Sequence, residues 1–377
     1  MRILQIVNIG QEAGGAEKSV RLIADGLRAR GHGIRVVATD LLSEDGEVFA
    51  DELVPAISGH PVRRLARKFW YRRAYEQVTR AVRDFAPDCV HLHTIGEFSP
   101  SVLSATAGVP RLLTVHGPED WTRELLRWNL PSAVDGRLTP RDALRHAYLR
   151  RVQRPAYLPR LRHVDRVLAP SRYFADAVRA DFPPHVPVHV LPNGVPGAVA
   201  ARPLRSAEDV LYVGRLERVK GVDVLLEAFG RLERGRLTVV GDGTDRARLE
   251  RLAGPGTVFT GWLDEERVAG RLAEASVVVL PSLWPENFPT VALEALRTGR
   301  ALVASRVGGL PELVGDDNGA LVPPGDAGAL AEALRRLLGD RAGLERKGAA
   351  SAVRAHRYTV GVFLDALERH YKEVAGR

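Results

Sequence analysis

Short apolar runs alternate with longer amphipathic stretches along almost the whole chain. The stretches between the runs, such as Ala16–Arg30 and Val222–Leu232, carry apolar residues at helical spacing. This pattern predicts strand–helix repeats, and therefore parallel sheets covered by helices on both faces. The strands are expected at Ile3–Val7, Ile34–Ala38, Cys89–Leu92, Arg111–Val115, Val164–Ala169 and Val188–Leu191, and again at Val210–Val213, Leu237–Val240, Val258–Thr260, Val277–Leu280, Ala301–Ala304 and Ala320–Val322.

A segment rich in proline and glycine, LPNGVPGAVAARPL, separates the two series of strands. A chain of 377 residues is also longer than a single ordinary core supports. The sequence therefore predicts an α/β protein made of two doubly wound, Rossmann-like domains that face each other across a cleft. Their predicted ranges are 1–192 and 193–358, and a final amphipathic helix, about 359–377, is expected to pack back on the first domain.

Two segments interrupt the repeat, His60–Arg83 and Trp121–Arg166. Both combine many arginines with aromatic residues. Such a mixture can mark a surface that contacts an anionic membrane or another anionic partner. A solvated helix face whose aromatic side chains pack inward is the other interpretation.

Composition narrows the class of protein. Hydrophobic residues at 45% and charged residues at 27% are typical of a soluble globular chain. The net charge of +8 rests almost wholly on arginine, which we interpret as the codon bias of a high-GC bacterial genome, and no nucleic-acid recognition motif is visible. Cys89 is the only cysteine, which excludes an intramolecular disulfide, and no apolar run approaches the ~20 residues that span a bilayer. The expected location is the cytoplasm, with peripheral contact at the inner face of the cytoplasmic membrane as an option.

Two glutamates stand in the segment PSLWPENFPTVALEAL. The apolar run before Glu286 predicts a strand that leads into a loop, and Pro289 is expected in the first turn of the next helix. Glu286 is then placed at the carboxyl end of a strand, where open α/β sheets bind ligands, and Glu294 about one turn into the helix. Paired carboxylates suit a polyhydroxylated ligand, although a solvated loop acid and a helix-surface acid would have the same spacing.

Two cations follow the predicted strand Val210–Val213 in VGRLERVKG. Arg215 and Lys220 lie on a strand-to-helix connection, where both can face one anion together with the helix N-terminus. A diphosphate is the natural candidate, and two surface cations are the alternative. With cations for phosphates and carboxylates for hydroxyls, the second domain is predicted to hold a nucleotide-sugar site.

Glycines and a histidine mark the first domain. The segment NIGQEAGGAE places Gly14 and Gly15 before a helix, without the spacing of a dinucleotide fingerprint or a P-loop. Such a turn can bring an anion or a sugar close to the backbone, although a plain strand–helix turn also fits. His116 ends a strand, where it can hydrogen-bond a ligand. His91 and His93 share one face of the preceding strand, but no third ligand is evident, so no metal site is predicted.

In their order, these motifs resemble those of the family 4 glycosyltransferases of the GT-B fold. The resemblance covers nearly the whole chain through GGAE, TVHG, PSR, PNGV, GRLERVKG, ENFPTVALEA and SRVGGLPELV. It implies transfer of a sugar from a nucleotide-sugar, UDP- or GDP-linked in the first instance, to an acceptor hydroxyl with retention and without a required metal or other cofactor. The implied acceptor is a glycan, a lipid-linked molecule or a small molecule bound by the first domain.

Carried over by position, the resemblance assigns roles to individual residues. Arg215 and Lys220 would hold the donor diphosphate, close to the backbone at Gly14 and Gly15. Glu286 would contact the transferred sugar, Glu294 the ribose, and His116 the sugar near the reaction centre. Further donor contacts are implied for Gly261 and Leu263 beside the nucleobase, for Asn287, and for Phe288, Thr290 and Val291 through their backbone, with Pro289 standing where the family often has glycine.

Two other kinds of function stay open at this point. A sugar-nucleotide epimerase or phosphorylase would share the architecture and the nucleotide site. A non-catalytic nucleotide-sugar-binding protein or membrane-associated scaffold would share the site without the chemistry. The motif order favours a transferase.

Overall fold

The computed structural model describes residues 1–12, 14–41, 47–119 and 121–376. The chain divides into two compact units, the first made of Met1–Asn193 with the segment from Phe363 onward, the second of Gly194–Val362. The division after Asn193 adjoins the predicted boundary at residue 192.

The first unit contains a parallel sheet, whose described strands follow the order β3-β2-β1-β4-β5-β6-β7. Connections run outward in opposite directions from β1 and β4, and such a switch point opens a crevice at the carboxyl ends of the strands. The strands are β1 (Arg2–Ile9), β2 (Gly33–Thr39), β3 (Glu52–Val54), β4 (Cys89–Leu92), β5 (Arg111–Thr114), β6 (Arg166–Ala169) and β7 (Val188–Val190).

The second unit repeats the design with the order β10-β9-β8-β11-β12-β13, again parallel throughout. Its switch point lies between β8 and β11. Apolar side chains cover both faces of this sheet, as parallel strands require. The strands are β8 (Asp209–Val213), β9 (Arg236–Val240), β10 (Thr257–Gly261), β11 (Val277–Leu280), β12 (Ala301–Ser305) and β13 (Gly319–Val322).

Helices fill the connections of both sheets. Those of the first unit before the division are α1 (Gly15–Ala29), α2 (Pro61–Phe69), α3 (Arg72–Phe85), α4 (Ser101–Ala105), α5 (Pro140–Tyr148), α6 (Arg154–Leu161) and α7 (Arg172–Arg179). They are followed by α8 (Val222–Phe229), α9 (Arg246–Leu252), α10 (Glu265–Glu274), α11 (Thr290–Arg297), α12 (Leu310–Leu313), α13 (Ala327–Leu338), α14 (Arg341–Ala355) and α15 (Val360–Val374). Within the described residues, no helix is long and apolar enough to cross a membrane.

The last helix, α15, contacts the first sheet through a polar layer. The Tyr371 hydroxyl is buried 2.7 Å from Nδ1 of His91 on β4. Arg166 on β6 donates to Glu373 and lies 2.8 Å from Nδ1 of His370. These contacts tie the end of the chain to the strands of the first unit.

Two local predictions need correction. The edge strand β3 was not predicted, because a strand of three residues is too short to show a recognisable apolar pattern. Pro289 was expected inside the first turn of a helix, but α11 begins at Thr290 and Pro289 precedes it in an extended conformation, with φ −67° and ψ 129°. Proline fits this position because its fixed φ is compatible with the capping residue and its missing N–H has no helical partner to lose.

Candidate active site

Glu286 lies in the loop after β11, at the carboxyl edge of the second sheet. One of its oxygens, Oε1, accepts hydrogen bonds from Lys220 Nζ at 2.7 Å and from Ser282 Oγ at 2.6 Å. Both charged side chains are shielded from solvent, with 17% of Lys220 and 8% of Glu286 exposed. Burial alone would raise the pKa of Glu286, but the Lys220 ammonium and the hydrogen bonds hold it below its usual value. The result is a carboxylate that stays ionised inside the protein.

The backbone around Lys220 brings the cation to this carboxylate. A single 3₁₀ turn, Arg218–Lys220, follows β8 and ends at Gly221, whose φ is +65°. A Cβ on Gly221 would lie 2.1 Å from the carbonyl oxygen of Pro281, so only glycine permits this approach of the two loops. The N–H of Leu283 donates to the Val219 carbonyl at 2.8 Å and locks the loops together.

A second glycine loop, after β12, encloses the backbone of Glu286. Gly308 has φ +55°, and a Cβ there would lie 2.0 Å from the Glu286 carbonyl oxygen. That oxygen accepts a hydrogen bond from the N–H of Gly309 at 2.7 Å. These glycines are absent from the predicted site residues, although a GG pair two residues beyond a strand is a signal for close backbone approach.

Arg215 does not join this cluster. Its guanidinium is 62% exposed and pairs with Glu217 at 2.8 Å, whereas Lys220 pairs with Glu286. The Arg215 carbonyl is fixed separately by the Tyr212 hydroxyl at 2.8 Å. The structure thus brings together only one of the two predicted cations with the acidic segment.

The other predicted residues of the second unit surround the same sheet edge. Asn287 and Phe288 are buried, and the Phe288 ring meets Tyr358 edge-on at 5.4 Å. Thr290 and Val291 form the start of α11, where backbone N–H groups lack helical partners, and Glu294 is partly buried one turn later. Gly261 ends β10 with φ +73°, and Leu263, partly buried, follows it.

In the first unit, three histidines stack along the carboxyl half of β4 and β5. The His91 and His93 ring centroids are 3.9 Å apart, and those of His93 and His116 are 5.2 Å apart. Nδ1 of His93 lies 2.9 Å from Nε2 of His116, so one ring donates and the other accepts. His91 is held between Tyr371 and Thr114, each at 2.7 Å. Among the described residues, no group of three or more His, Cys, Asp and Glu side chains is arranged to hold a metal ion.

Burial keeps this histidine cluster neutral. It lowers the pKa of His116 to about 4 and that of His91 to about 3, and neighbouring rings lower the His91 value further. His93 is shifted in the same direction for the same reason. A neutral His116 can offer a hydrogen bond to a ligand, but it brings no positive charge at neutral pH.

These shifts predict acid sensitivity of the first unit. The unfolded chain takes up protons near the ordinary histidine value of 6.5, and the folded chain only near 4 or 3. The histidine contribution is therefore complete above pH 6.5 and is lost as the pH falls toward 4, by about 1.4 kcal/mol per pH unit for each such group. Urea unfolding between pH 7.5 and 4.5 should show this slope, with a shallower one in His91→Gln. The exposed His60→Gln control should keep the wild-type slope, and a pH-independent midpoint would contradict the prediction.

The glycine turn of the first unit opens helix α1. Gly14 is the capping residue, and Gly15 is the first residue of the helix. A Cβ built on Gly15 meets no atom within 4 Å, so the space beside this backbone is open. The accessible backbone N–H groups at the N-terminus of helix α1 can bind an anion. The predicted role of Gly15, close to a diphosphate, requires such a site.

Gly15→Ala is expected to separate ligand contact from folding. The added methyl group has room in the protein and alanine favours a helix, so the unfolding temperature should stay the same or rise slightly. If the predicted ligand contact at Gly15 holds, turnover of a nucleotide-sugar should fall about tenfold, because the methyl group would occupy that space. Gly361→Ala, also at an open helix start, is the matched control: its unfolding temperature should likewise stay the same or rise slightly, and its turnover should stay unchanged. Unchanged turnover in Gly15→Ala would remove Gly15 from the site.

A cavity of about 300 Å³ opens at the carboxyl edge of the first sheet. Lys68 and Glu97 form an ion pair of 2.8 Å on its wall, and the Asn8 side chain fixes the loop by accepting from the Glu97 N–H at 2.9 Å. Glu119, three residues beyond His116, lines the cavity as well. The buried Trp121 and Tyr157 lie against its wall, and Asn129 and Arg145 also line it.

Two family models match the chain. The model described as Glycosyltransferase Family 4 matches residues 13–197. The model described as Glycosyl transferases group 1 matches residues 207–340. One match lies in the first unit with a few residues beyond it, and the other lies within the second unit.

Two curated relatives show similarity over long stretches. Glycogen synthase of Mycobacterium tuberculosis is 32% identical over 289 residues, which is 72% of this chain and 65% of that protein. The chain thus spans slightly less than two thirds of this relative's length. Phosphatidyl-myo-inositol mannosyltransferase of Mycobacterium leprae is 29% identical over 389 residues, which is 96% of this chain and 94% of that protein.

Solved structures share the fold. Sucrose-phosphate synthase of Thermosynechococcus elongatus has a TM-score of 0.78 at 22% identity and covers 99% of this chain and 98% of its own. The structure of Anabaena Alr3699/HepE in complex with UDP has a TM-score of 0.72 at 19% identity, covering 99% and 100%. The two Rossmann-like units, the ordered motifs and the family models agree, and the chain belongs to family 4 of the glycosyltransferases, with the GT-B fold.

Proposed function

We propose that this protein transfers a sugar from a nucleotide-sugar to an acceptor hydroxyl with retention of anomeric configuration and without an essential divalent metal. The observation that carries the proposal is the Lys220–Glu286 pair with Ser282, buried at the switch point of the second sheet. Ligands of open α/β sheets bind at this position. Family membership supports the reaction class.

The donor is proposed to be a UDP- or GDP-sugar. Lys220 contacts the diphosphate, and Arg215 joins it by leaving its exposed partner Glu217, which costs little because exposed ion pairs are weak. Thr290 and Val291 add N–H donors from the start of α11, and Glu294 binds the ribose. The nucleobase lies against Gly261 and Leu263. The UDP held by HepE favours uridine as the first base to test.

The proposed chemistry relies on electrostatic stabilisation. Glu286, held ionised by Lys220 and Ser282, accepts hydrogen bonds from hydroxyls of the transferred sugar and does not act as a proton donor. Negative charge that develops on the leaving diphosphate is stabilised by Lys220, Arg215 and backbone N–H groups. The acceptor hydroxyl attacks from the face that the diphosphate leaves, and its proton passes to the departing phosphate oxygen. His116 contacts the sugar as a neutral ring.

The acceptor is proposed to enter the cavity of about 300 Å³ in the first unit. Its lining offers hydrogen-bond donors and acceptors to hydroxyls through Lys68, Glu97 and Asn129. A glycan end, a lipid-linked sugar or a small polyol has this chemistry. Lys68→Met should raise the KM for the acceptor and leave donor binding unchanged. An unchanged KM would exclude this cavity.

Peripheral contact with an anionic membrane is proposed for helix α2. Val62 is 70% exposed, Leu65 48% and Trp70 42%, beside the exposed Arg63 and Arg64. Apolar and basic side chains on one short helix suit the headgroup region of an anionic bilayer. The double variant Val62→Gln/Leu65→Gln should sediment less with phosphatidylglycerol vesicles than wild type, while Leu252→Gln, an exposed apolar control in the second unit, should not. Equal sedimentation of all three would contradict the proposal.

One experiment separates transfer from the two alternative functions. Nucleotide-sugars are screened by thermal shift, and those that stabilise the protein are incubated with candidate acceptors for product mass. A glycosylated acceptor that forms equally with EDTA or Mg²⁺ is expected, with the anomeric configuration of the donor. Donor consumption without an acceptor would indicate an epimerase or hydrolase, phosphate-dependent consumption a phosphorylase, and binding without consumption a non-catalytic protein.

A further inference from the structure

A second cavity of the first unit, about 550 Å³, lies at the opposite edge of the sheet from the histidine cluster. Arg111, which lines it, is the first residue of β5, whereas His116 follows the end of that strand. Three arginines and His163 line the cavity together with Ser104. Of the described residues around it, none is acidic.

Arg111 is a buried cation whose guanidinium has few hydrogen-bond partners and no ion-pair partner within the described residues. Only 7% of the residue is exposed. One guanidinium nitrogen donates to the Leu103 carbonyl at 2.7 Å, but Nε–H has no hydrogen-bond partner in the described structure. The neighbouring Asp165 accepts from the backbone N–H of Arg111 at 2.7 Å and not from its guanidinium. Burial outweighs this carboxylate and lowers the pKa of Arg111. A buried charge without a direct partner is costly, and an anion would relieve that cost.

The other two arginines also lack acidic partners. Arg160 donates to the Ala156 carbonyl at 3.2 Å and lies over the Trp70 ring at 5.6 Å, and Nε–H of Arg162 donates to Nε2 of His163 at 3.3 Å. Within the described residues, none of the three lining arginines forms an ion pair. Nearby arginines differ in this respect, since Arg154 pairs with Asp181 at 2.6 Å and Arg166 pairs with Glu373. The cavity is therefore lined by three arginines that have no ion-pair partner within the described residues.

We propose that this cavity binds the phosphoryl group of a small phosphorylated molecule, separately from the candidate active site. One guanidinium group can donate two parallel hydrogen bonds to two oxygens of a phosphoryl group. Three such groups and a serine hydroxyl provide enough donors for all the oxygens of one phosphoryl group. The volume of about 550 Å³ leaves room for a body attached to the phosphate, as in typical small-molecule sites. An anion here would stabilise the segment that joins α4 to β5.

The test is calorimetric titration with inorganic phosphate at constant ionic strength. Arg160→Gln/Arg162→Gln removes two charges from half-exposed and exposed positions without touching buried Arg111. Phosphate affinity should fall about tenfold, the effect of losing charge-assisted hydrogen bonds. Lys220→Met, which removes the cation of the candidate donor site, should keep this binding. Arg80→Gln, an exposed arginine of α3 that does not line the cavity, should keep it as well.

The outcomes are distinct. Binding lost in the double arginine variant and kept in both controls supports the proposal. Wild-type affinity in the double variant, or no heat with phosphate at all, overturns it. Loss only in Lys220→Met places the phosphate in the donor site and also overturns it. Glycerol 3-phosphate and phosphatidylglycerol vesicles, tested on the same variants, distinguish a soluble phosphorylated molecule from a lipid headgroup as the source of the phosphoryl group.

Discussion

Lys220→Met should reduce sugar transfer at least about 100-fold, because it removes the cation proposed to stabilise the leaving diphosphate. The same change leaves Glu286 buried without its ion-pair partner, which should cost about 3 kcal/mol of unfolding free energy. Both effects are measured on purified protein, by product formation from a nucleotide-sugar and by urea unfolding.

A double variant separates the two effects. Lys220→Met/Glu286→Gln removes the unpaired charge, so most of the lost stability should return while transfer stays low. If transfer recovered together with stability, the pair would be structural only. If Lys220→Met alone kept wild-type transfer, Lys220 would have no part in the reaction.

Gly308→Ala should have the second largest effect, because its new methyl group meets the backbone of Glu286. The ideal Cβ position is 2.0 Å from the Glu286 carbonyl oxygen, and φ of +55° disfavours alanine in addition. We expect a loss of at least about 2 kcal/mol in unfolding free energy and a fall in transfer that persists at temperatures where the variant is folded.

Gly270→Ala provides the matched control for Gly308→Ala. Gly270 lies in helix α10 of the same unit, and a Cβ there meets nothing within 4 Å. This variant should be as active as wild type and equally or slightly more stable. Wild-type activity in Gly308→Ala would mean that the loop after β12 does not position Glu286.

The strands of the second unit were predictable because parallel strands buried on both faces are short and continuously apolar. All six predicted runs are strands, with Val277–Leu280 matching to the residue. Glu286 follows a strand and Glu294 lies within a helix, as predicted, because both positions were counted from the apolar run of β11. The predictions that were wrong concern a very short strand, β3, and the first residue of a helix, where Pro289 precedes α11.

Contacts between distant parts of the chain could not be predicted in the same way. Lys220 and Glu286 form their ion pair because β8 and β11 are neighbours in the sheet. The pattern of apolar residues predicts strands but does not predict their order. The enclosure of Glu286 by Gly308 depends on a third loop that comes from β12. The separate position of Arg215 follows from its exposed partner Glu217, which spacing along the chain did not indicate.

The most direct test of the central claim, that the Lys220–Glu286 pair forms the donor site, is calorimetric titration with UDP and GDP. Wild type is compared with Lys220→Met/Glu286→Gln, whose stability should be close to that of wild type. We expect one of the two nucleotides to bind wild type and to bind the double variant at least about tenfold more weakly. Equal affinity of that nucleotide for both proteins would contradict it.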